Sequence, residues 1–545
     1  MTDIAPRDDL ATHTVHNQPE AQGDLDLWAS DAPLREAVIR EGGEAHADRL
    51  AAYGRELGKE ETREQGRLAN RFQPELRSFD AGGRRIDEVA FHAAYHTLMS
   101  SGVEAGYPSL PWSDGAQGGH VAHAAMVYLT TQTEPGVCCP MTMTYAAVPA
   151  LRGDADLGRE WLPRILSGRY DSASRPAAEK DGATIGMAMT EKQGGSDVRA
   201  NETRAEPDGD GYRLTGHKWF CSAPMSDAFL TLAQAPGGLT CFVAPRWTPD
   251  GERNAIQLMR LKDKLGNRSN ASAEIEYTQA WARRLGPEGA GVKTILEMVH
   301  HTRLDTAMAP AGLMRAAVST AAWWCRGRNA FQRRLINQPL MQAVLADLAL
   351  DWQGSLALGL RVARAFDEAE HDSAARSFAR LAVAIAKYWS NKRCPNVVYE
   401  AMECLGGSGY VEESGMPLLY REAPLNSIWE GSGNIICLDV LRTLQREPAA
   451  LDVLRAELDA ARGADRRFDT AVDEAFDLWP KGPPEHEARW FVETLAKLLQ
   501  GALLLQHAPA AVADAFVASR LAGESGATAG ALPSGIDARA IVARI

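Results

Sequence analysis

The chain reads as an α+β protein, mostly α, with a central block of antiparallel strands set between helical blocks. Three observations predict this. Apolar residues recur at three- and four-residue steps on both sides of the centre, as at Leu50, Tyr53 and Leu57 and again at Leu340, Val344, Leu345 and Leu348. That spacing gathers side chains on one helix face. From Gly186 to about Trp281 the pattern shortens to runs such as Tyr212-Arg-Leu-Thr215, Ala228-Phe-Leu-Thr-Leu-Ala233 and Leu239-Thr-Cys-Phe-Val-Ala244, broken by Pro-Asp-Gly and Pro-Gly-Gly turns. Short runs with frequent turns mark antiparallel strands rather than βαβ units. At 545 residues the chain also exceeds what one core supports, so several packed units are expected.

In chain order, residues 1–44 are polar and read as an arm, with Asp31-Ala-Pro-Leu-Arg35 leading into a helix. Residues 45–183 form a helical domain, in which Phe91, Tyr95, Leu98 and Met99 keep the helical step. Residues 184–284 make the β domain, a sandwich or barrel. Helical spacing returns after Gly286-Pro-Glu-Gly-Ala-Gly291, at Ile295, Met298 and Val299, and an antiparallel bundle runs to residue 446, with Pro448 ending it. Residues 447–545 are a helical extension, with a helix pair over 490–505 and 510–521 and a loose Gly523 to Gly530 stretch.

Composition narrows the function. Hydrophobic residues at 45% and charged residues at 24% are those of a folded globular protein. A net charge of −13 gives no overall attraction to a polyanion. The eight cysteines contain no Cys-x-x-Cys pair, the usage of a reducing compartment, and no metal-site spacing appears. The N-terminus lacks a basic start followed by an apolar run, and no run of about 18 uncharged apolar residues follows. The expectation is a cytoplasmic protein without a membrane partner.

Two distant segments carry the chemistry. Met187-Ala-Met-Thr-Glu-Lys-Gln-Gly-Gly-Ser-Asp-Val198 offers hydroxyls and glycines to a phosphate and a flavin edge, as glycine-rich turns do. Asn426-Ser-Ile-Trp-Glu-Gly-Ser-Gly-Asn434 offers one carboxylate beside an indole. Dehydrogenating a carbon pair next to a thioester carbonyl needs a carboxylate to remove a proton on one side and a flavin to accept hydride on the other. Glu430 is the candidate base. Ser427-Ile-Trp-Glu430 is also a capping box that would open the next helix. Phe220 and Ser222, in Gly216-His-Lys-Trp-Phe-Cys-Ser-Ala223, lie on a predicted strand and could cover one flavin face, although Trp219 and Phe220 would serve equally as core.

Taken in order, Met-Thr-Glu-x-x-x-Gly-Ser-Asp-Val (189–198), Gly-His-Lys-Trp-Phe (216–220), Leu-Gly-x-Glu-Gly-x-Gly (285–291), Gly-Gly-x-Gly-Tyr (406–410) and Trp-Glu-Gly (429–431) resemble the acyl-CoA dehydrogenase superfamily. His13-Thr-Val-His-Asn-Gln-Pro19, Leu261-Lys-Asp-Lys-Leu-Gly-Asn-Arg-Ser-Asn-Ala271 and the C-terminal extension resemble its alkylation-response, AidB-like branch. The resemblance implies that superfamily's fold, FAD as cofactor, an acyl-CoA as small-molecule partner, α,β-dehydrogenation as activity, and assembly into dimers or tetramers. It also implies site residues. Met187, Thr190, Gly195 and Ser196 would contact FAD, and Ser222 would bond near its reactive edge. Ile428, Trp429, Gly431, Ser432 and Asn434 would close over it. Glu430 falls at the common base position; the alternative position, near His301-Thr-Arg303, holds Thr302 and no carboxylate. Arg303 would lie near the thioester end, or form an interhelical salt bridge.

Departures from the pattern matter. The motif whose arginine reaches a neighbouring subunit's FAD survives as Arg328-Asn-Ala-Phe331-Gln332, without its glycine, and Glu403 stands where relatives carry glutamine. The branch is associated with protecting DNA against alkylating agents and with duplex binding through its C-terminal region. Here residues 446–545 hold 11 basic and 15 acidic side chains, against the clustered cations that counterion release requires. Arg442, Arg446, Arg455, Arg466 and Arg467 could form a local patch for double-stranded DNA, with a solvated helix face as the competing account.

Overall fold

The computed structural model describes residues 6–113, 115 and 117–545. Five strands of the middle domain close into a ring. Gly211–Ser222 and Ser272–Leu285 make its longest pairing, antiparallel, with Tyr212 opposite Ala282 and Ser222 opposite Ser272. Gly238–Pro245 runs antiparallel to the far end of Ser272–Leu285 and to the whole of Ala228–Ala235. Arg204–Asp208 completes the ring, antiparallel to Gly211–Ser222 and bridged to Ala228–Ala235 by Arg204 and Gln234 in parallel sense. Ile256–Leu261 adds antiparallel to Ser272–Leu285, and Ile185–Ala188 adds parallel to Ala228–Ala235. The sequence predicts an antiparallel domain; these parallel pairings correct it. Parallel neighbours need a long connection, and the chain between Ala188 and Ala228 supplies one.

The strand Ala228–Ala235 shows why this block reads as continuous apolar sequence. Successive side chains point to opposite faces. Ala228, Leu230 and Leu232 pack against Val148, Leu151, Leu157 and Trp161 of the helices Cys138–Arg152 and Ala155–Ile165. Phe229 and Ala233 enter the ring interior with Leu214, Phe242, Ile275 and Tyr277. Each large side chain so enclosed contributes about 1.5–3 kcal/mol of transfer free energy, and both faces of the strand draw on it.

Within the N-terminal helical block the structure contains a β-hairpin that periodicity did not reveal, Glu75–Phe79 with Arg85–Ala90. Its turn is set by Asp80, whose Oδ1 accepts from the backbone N–H of Gly82 and Arg84 at 2.8 and 2.9 Å. Val89 joins the ring interior and Arg85 donates to the Leu258 carbonyl at 3.2 Å, so the hairpin docks on the β domain.

Three long helices, Gly291–Gly327, Pro339–Glu368 and Ser373–Glu403, pack with Gly119–Thr133 around one apolar core. Pro310 has no N–H to give the Thr306 carbonyl one turn before it; Asn391 Nδ2 on the neighbouring helix fills that acceptor at 2.8 Å. The helix Ala32–Arg40 is anchored by buried Asp31, which caps Leu34 N at 2.9 Å and accepts from Tyr128 at 2.6 Å and Arg315 at 3.1 Å.

The C-terminal helices Ala449–Asp459, Arg466–Leu478, Ala488–His507 and Ala510–Phe516 share that core through Phe468, Phe491, Leu495 and Phe516. Arg520 fastens them, reaching Asp347 at 2.5 Å and Asp351 at 3.1 Å, with Arg393 on the other oxygen of Asp351 at 2.6 Å. None of the described helices is long and apolar enough to cross a membrane.

Candidate active site

The two segments singled out in the sequence meet across one cavity of about 1300 Å³. That exceeds the roughly 300–1,000 Å³ of an ordinary small-molecule site. Met187, Thr190, Gly195, Ser196, Phe220 and Ser222 line the side formed by the β domain. Ile428, Trp429, Glu430, Gly431 and Ser432 line the opposite side, and Arg303 stands beside them.

The first segment is held by a buried carboxylate. Glu191 accepts from Lys218 Nζ at 2.7 Å, Thr203 Oγ1 at 2.6 Å and the Glu202 N–H at 2.7 Å. These partners outweigh burial and hold its carboxyl at about 2. The loop beyond it turns through Gly194, whose φ of 146° favours glycine. A Cβ on Gly195 would lie 2.5 Å from Thr190 Oγ1, so the glycine lets the two pack.

The second segment does not form the capping box. Its helix starts at Gly433, and Ser432 at the N-cap makes no side-chain cap. Ser427 Oγ accepts from Lys392 Nζ at 2.9 Å instead. Glu430 sits before the helix at φ 56°, followed by Gly431 at φ 101°. A left-handed backbone at a residue with a Cβ costs roughly 1–3 kcal/mol and persists only where the surroundings over-determine it. Here they do. Thr302 Oγ1 donates to Glu430 Oε2 at 2.8 Å, Arg303 Nε to the Glu430 carbonyl at 3.3 Å, and Lys387 Nζ to the Gly431 carbonyl at 2.6 Å.

The result is an enclosed carboxyl aimed at the cavity. Burial raises the pKa of Glu430, opposed by the Thr302 hydrogen bond and the charges of Lys387 and Arg303. Arg303 also pairs with Asp439 at 2.6 Å, and Arg380 grips the same carboxylate at 2.8 Å. Arg303 thus forms the interhelical salt bridge and also lines the cavity.

Several wall residues escaped the sequence reading. Lys264, pushed down to about 8 by burial, donates to the Asn270 carbonyl at 2.5 Å and to Ser272 Oγ at 3.1 Å. Glu422, pushed up to about 7 by burial, accepts from the Asn267 N–H at 2.5 Å. Farther in, Asp305 accepts from Thr142 at 2.5 Å and faces His123 Nε2 at 2.8 Å. Only a lone charged residue within an apolar helical run, as at Lys387 in Leu381-Ala-Val-Ala-Ile-Ala-Lys387, could have marked such positions beforehand.

Other expected site residues fall elsewhere. Asn434 is exposed on the helix Gly433–Arg446, off the cavity wall, and its Oδ1 accepts from Arg489 at 3.4 Å. Arg328 does not line its own chain's cavity. It donates to the Asn17 carbonyl at 3.1 Å and lies 5.3 Å from the Trp324 ring, tying the N-terminal arm to the end of Gly291–Gly327. Arg442 and Arg446, read as part of a duplex-binding patch, line the cavity and are exposed. Elsewhere in that patch Arg467 is held by Asp465 and Asp514, each at 2.6 Å, and Arg455 lies 4.3 Å from the Phe476 ring.

A β ring facing a helical bundle across a large cavity is the fold of an acyl-CoA dehydrogenase. Residues 17–172 match the adaptive response protein AidB N-terminal domain, 186–280 the acyl-CoA dehydrogenase middle domain, and 289–445 the acyl-CoA dehydrogenase C-terminal domain. The chain belongs to the acyl-CoA dehydrogenase family, FAD-dependent oxidoreductases acting on CH–CH bonds, and within it is AidB-like. It is 49% identical over 508 residues to the putative acyl-CoA dehydrogenase AidB of Escherichia coli (strain K12), covering 93% of this chain and 94% of that one. It is 32% identical to acyl-CoA dehydrogenase family member 11 of Caenorhabditis elegans over 81% of this chain and 77% of that one. The crystal structure of C. elegans ACDH-11 in complex with C11-CoA superposes with a TM-score of 0.83 at 30% identity, covering 94% of this chain and 93% of that chain.

Proposed function

We propose that this protein binds FAD in the cavity between the β domain and the bundle and dehydrogenates an acyl thioester, with Glu430 as the base. The observation that supports this most is the placement of Glu430, an enclosed carboxyl held out of its helix at a positive φ, across the cavity from Thr190, Ser196 and Ser222. These wall groups suit a flavin dinucleotide. Thr190, Ser196 and Ser222 offer hydroxyls, the Gly194-Gly195 turn allows close approach, and Phe220, 47% exposed, lines the cavity with an aromatic ring. When bound, FAD supplies the hydride acceptor.

Each protein group then has a task. Glu430 removes the proton next to the thioester carbonyl, and its raised pKa suits a base working near neutrality. Thr302 fixes the carboxylate rotamer, and the Arg303, Arg380 and Asp439 cluster keeps the backbone of Glu430 in place. Arg442 and Arg446, both exposed, give the phosphates of a coenzyme A nucleotide a cationic approach. Their place in the cavity wall, the paired state of Arg467 and the acid excess of the extension favour this role over the duplex-binding alternative.

We further read the protein as a cytoplasmic homotetramer or homodimer, as the family resemblance suggests; its eight free cysteines, seven of them buried, suit a reducing compartment. The experiment follows flavin bleaching by a panel of acyl-CoAs under anaerobic conditions in wild type and Glu430→Gln. Bleaching of the wild type by at least one acyl-CoA, slowed about 10²–10⁴-fold in the variant, is expected. A wild type that no acyl-CoA bleaches removes the dehydrogenase reading.

A further inference from the structure

Three lysines are buried in this fold, and two of them are paired. Lys180 meets Asp227 at 2.7 Å and Lys218 meets Glu191 at 2.7 Å. Lys387, 1% exposed, forms no salt bridge among the described residues. Its ammonium has a single hydrogen bond, to the Gly431 carbonyl at 2.6 Å. A lysine is almost never fully buried without a counter-charge, because desolvating the ammonium costs several kcal/mol. A fold that retains one gains something at that place.

We propose that Lys387 is the positioning residue for the Glu430 base, its buried positive charge holding Glu430 in the ionised form and its hydrogen bond holding the Glu430-Gly431 turn. The proposal rests on Glu430 being the base. The charges around the pair leave this role to Lys387. From the helix Gly291–Gly327, Thr302 bonds the carboxylate, while Arg303 is engaged with Asp439. From Ser373–Glu403, Arg380 spends both of its Nη groups on Asp439, at 2.9 and 2.8 Å, and Lys392 bonds Ser427 Oγ. From Gly433–Arg446 comes Asp439 itself, shared between two arginines. Of the two cations whose charges act on Glu430, Arg303 is paired with Asp439, and Lys387 has no carboxylate partner. Burial pushes its own pKa down to about 7, with the Glu430 charge acting to raise it. Each charge therefore favours the other, and the two groups titrate as a coupled pair.

The test uses the full-length, FAD-loaded protein and a readout that needs no substrate. Infrared difference spectra recorded against pH isolate the carboxylic C=O band that Glu430→Gln abolishes, and the pH at which it disappears reports Glu430. In Lys387→Met and Lys387→Gln that midpoint is expected to rise by about one pH unit or more, since a buried cation beside a carboxylate lowers its pKa by about that much. Lys387→Arg should restore it. Glutamine keeps a donor for the Gly431 carbonyl without the charge, so the Gln and Arg variants decide the matter even if Lys387→Met fails to fold. Midpoints in the Met and Gln variants equal to wild type overturn the proposal. Failure of the base reading shows separately, as acyl-CoA bleaching that survives Glu430→Gln while the infrared shift is still present.

Discussion

Replacing Thr302 by valine removes one hydroxyl and keeps the shape of the side chain. In the structure Thr302 Oγ1 lies 2.8 Å from Glu430 Oε2 and 3.0 Å from the Val299 carbonyl. A hydroxyl has one proton, so it serves the carboxylate while Glu430 is ionised and turns to the carbonyl once Glu430 is protonated. The ionised form loses a charge-assisted partner in the variant, and the protonated form at most a weaker neutral one. A hydrogen bond to a charged group is worth about 1.5–3 kcal/mol. At 1.36 kcal/mol per pKa unit, the acid limb of the rate should move up by about 1–2 pH units. The assay is the pH dependence of anaerobic flavin bleaching by a saturating acyl-CoA, compared between wild type and Thr302→Val. At pH well above the new limb the two rates should converge, because Glu430 is ionised in both. A rate lowered by the same factor at every pH would refute the reasoning, since that is the signature of a displaced carboxylate.

Further perturbations test other parts of the structure. Glu191→Gln leaves Lys218 buried and unpaired, so chemical denaturation should show a loss of about 3–5 kcal/mol. Glu191 is held at about 2, below its unfolded value. Its stabilisation is therefore present above the unfolded pKa and lost as pH falls toward 2, and the variant should show a weaker stability decline over that range. Gly195→Ala puts a methyl 2.5 Å from Thr190 Oγ1; purified protein should keep wild-type far-ultraviolet circular dichroism while retaining less flavin per chain. Arg520→Ala leaves Asp347 without a cation and Asp351 with Arg393 alone. It should lower the denaturation midpoint and expose the 447–545 extension to limited proteolysis, whereas an unchanged cleavage pattern would mean the clamp carries little.

The order of helical, β and helical blocks follows from the sequence because it rests on local periodicity. The step of three and four at Ile295, Met298 and Val299 and the short runs between Pro-Gly turns state the local structure wherever the chain later packs. The motif residues around Thr190, Ser222 and Glu430 were legible for a related reason: glycines and hydroxyls at fixed spacing leave a mark in the linear order. What periodicity missed was built from distant partners. The hairpin at Glu75–Phe79 and Arg85–Ala90 is too short to signal itself and is completed by docking on the β domain.

The tertiary structure alone decided that Glu430 does not cap the next helix. Ser427-Ile-Trp-Glu430 is as good a capping box as a base motif when read along the chain. The outcome turned on Thr302 and Arg303, 128 and 127 residues before Glu430, and on Lys387, 44 residues before Gly431, which together hold this turn out of the helix. Arg442 and Arg446 likewise changed meaning once the helix that carries them lay against the cavity. Sequence alone fixes backbone preference and the pattern of apolar faces, because those energies act within a few residues. The electrostatics of a site depend on which charges end up within a few ångströms of one another, and only packing determines that.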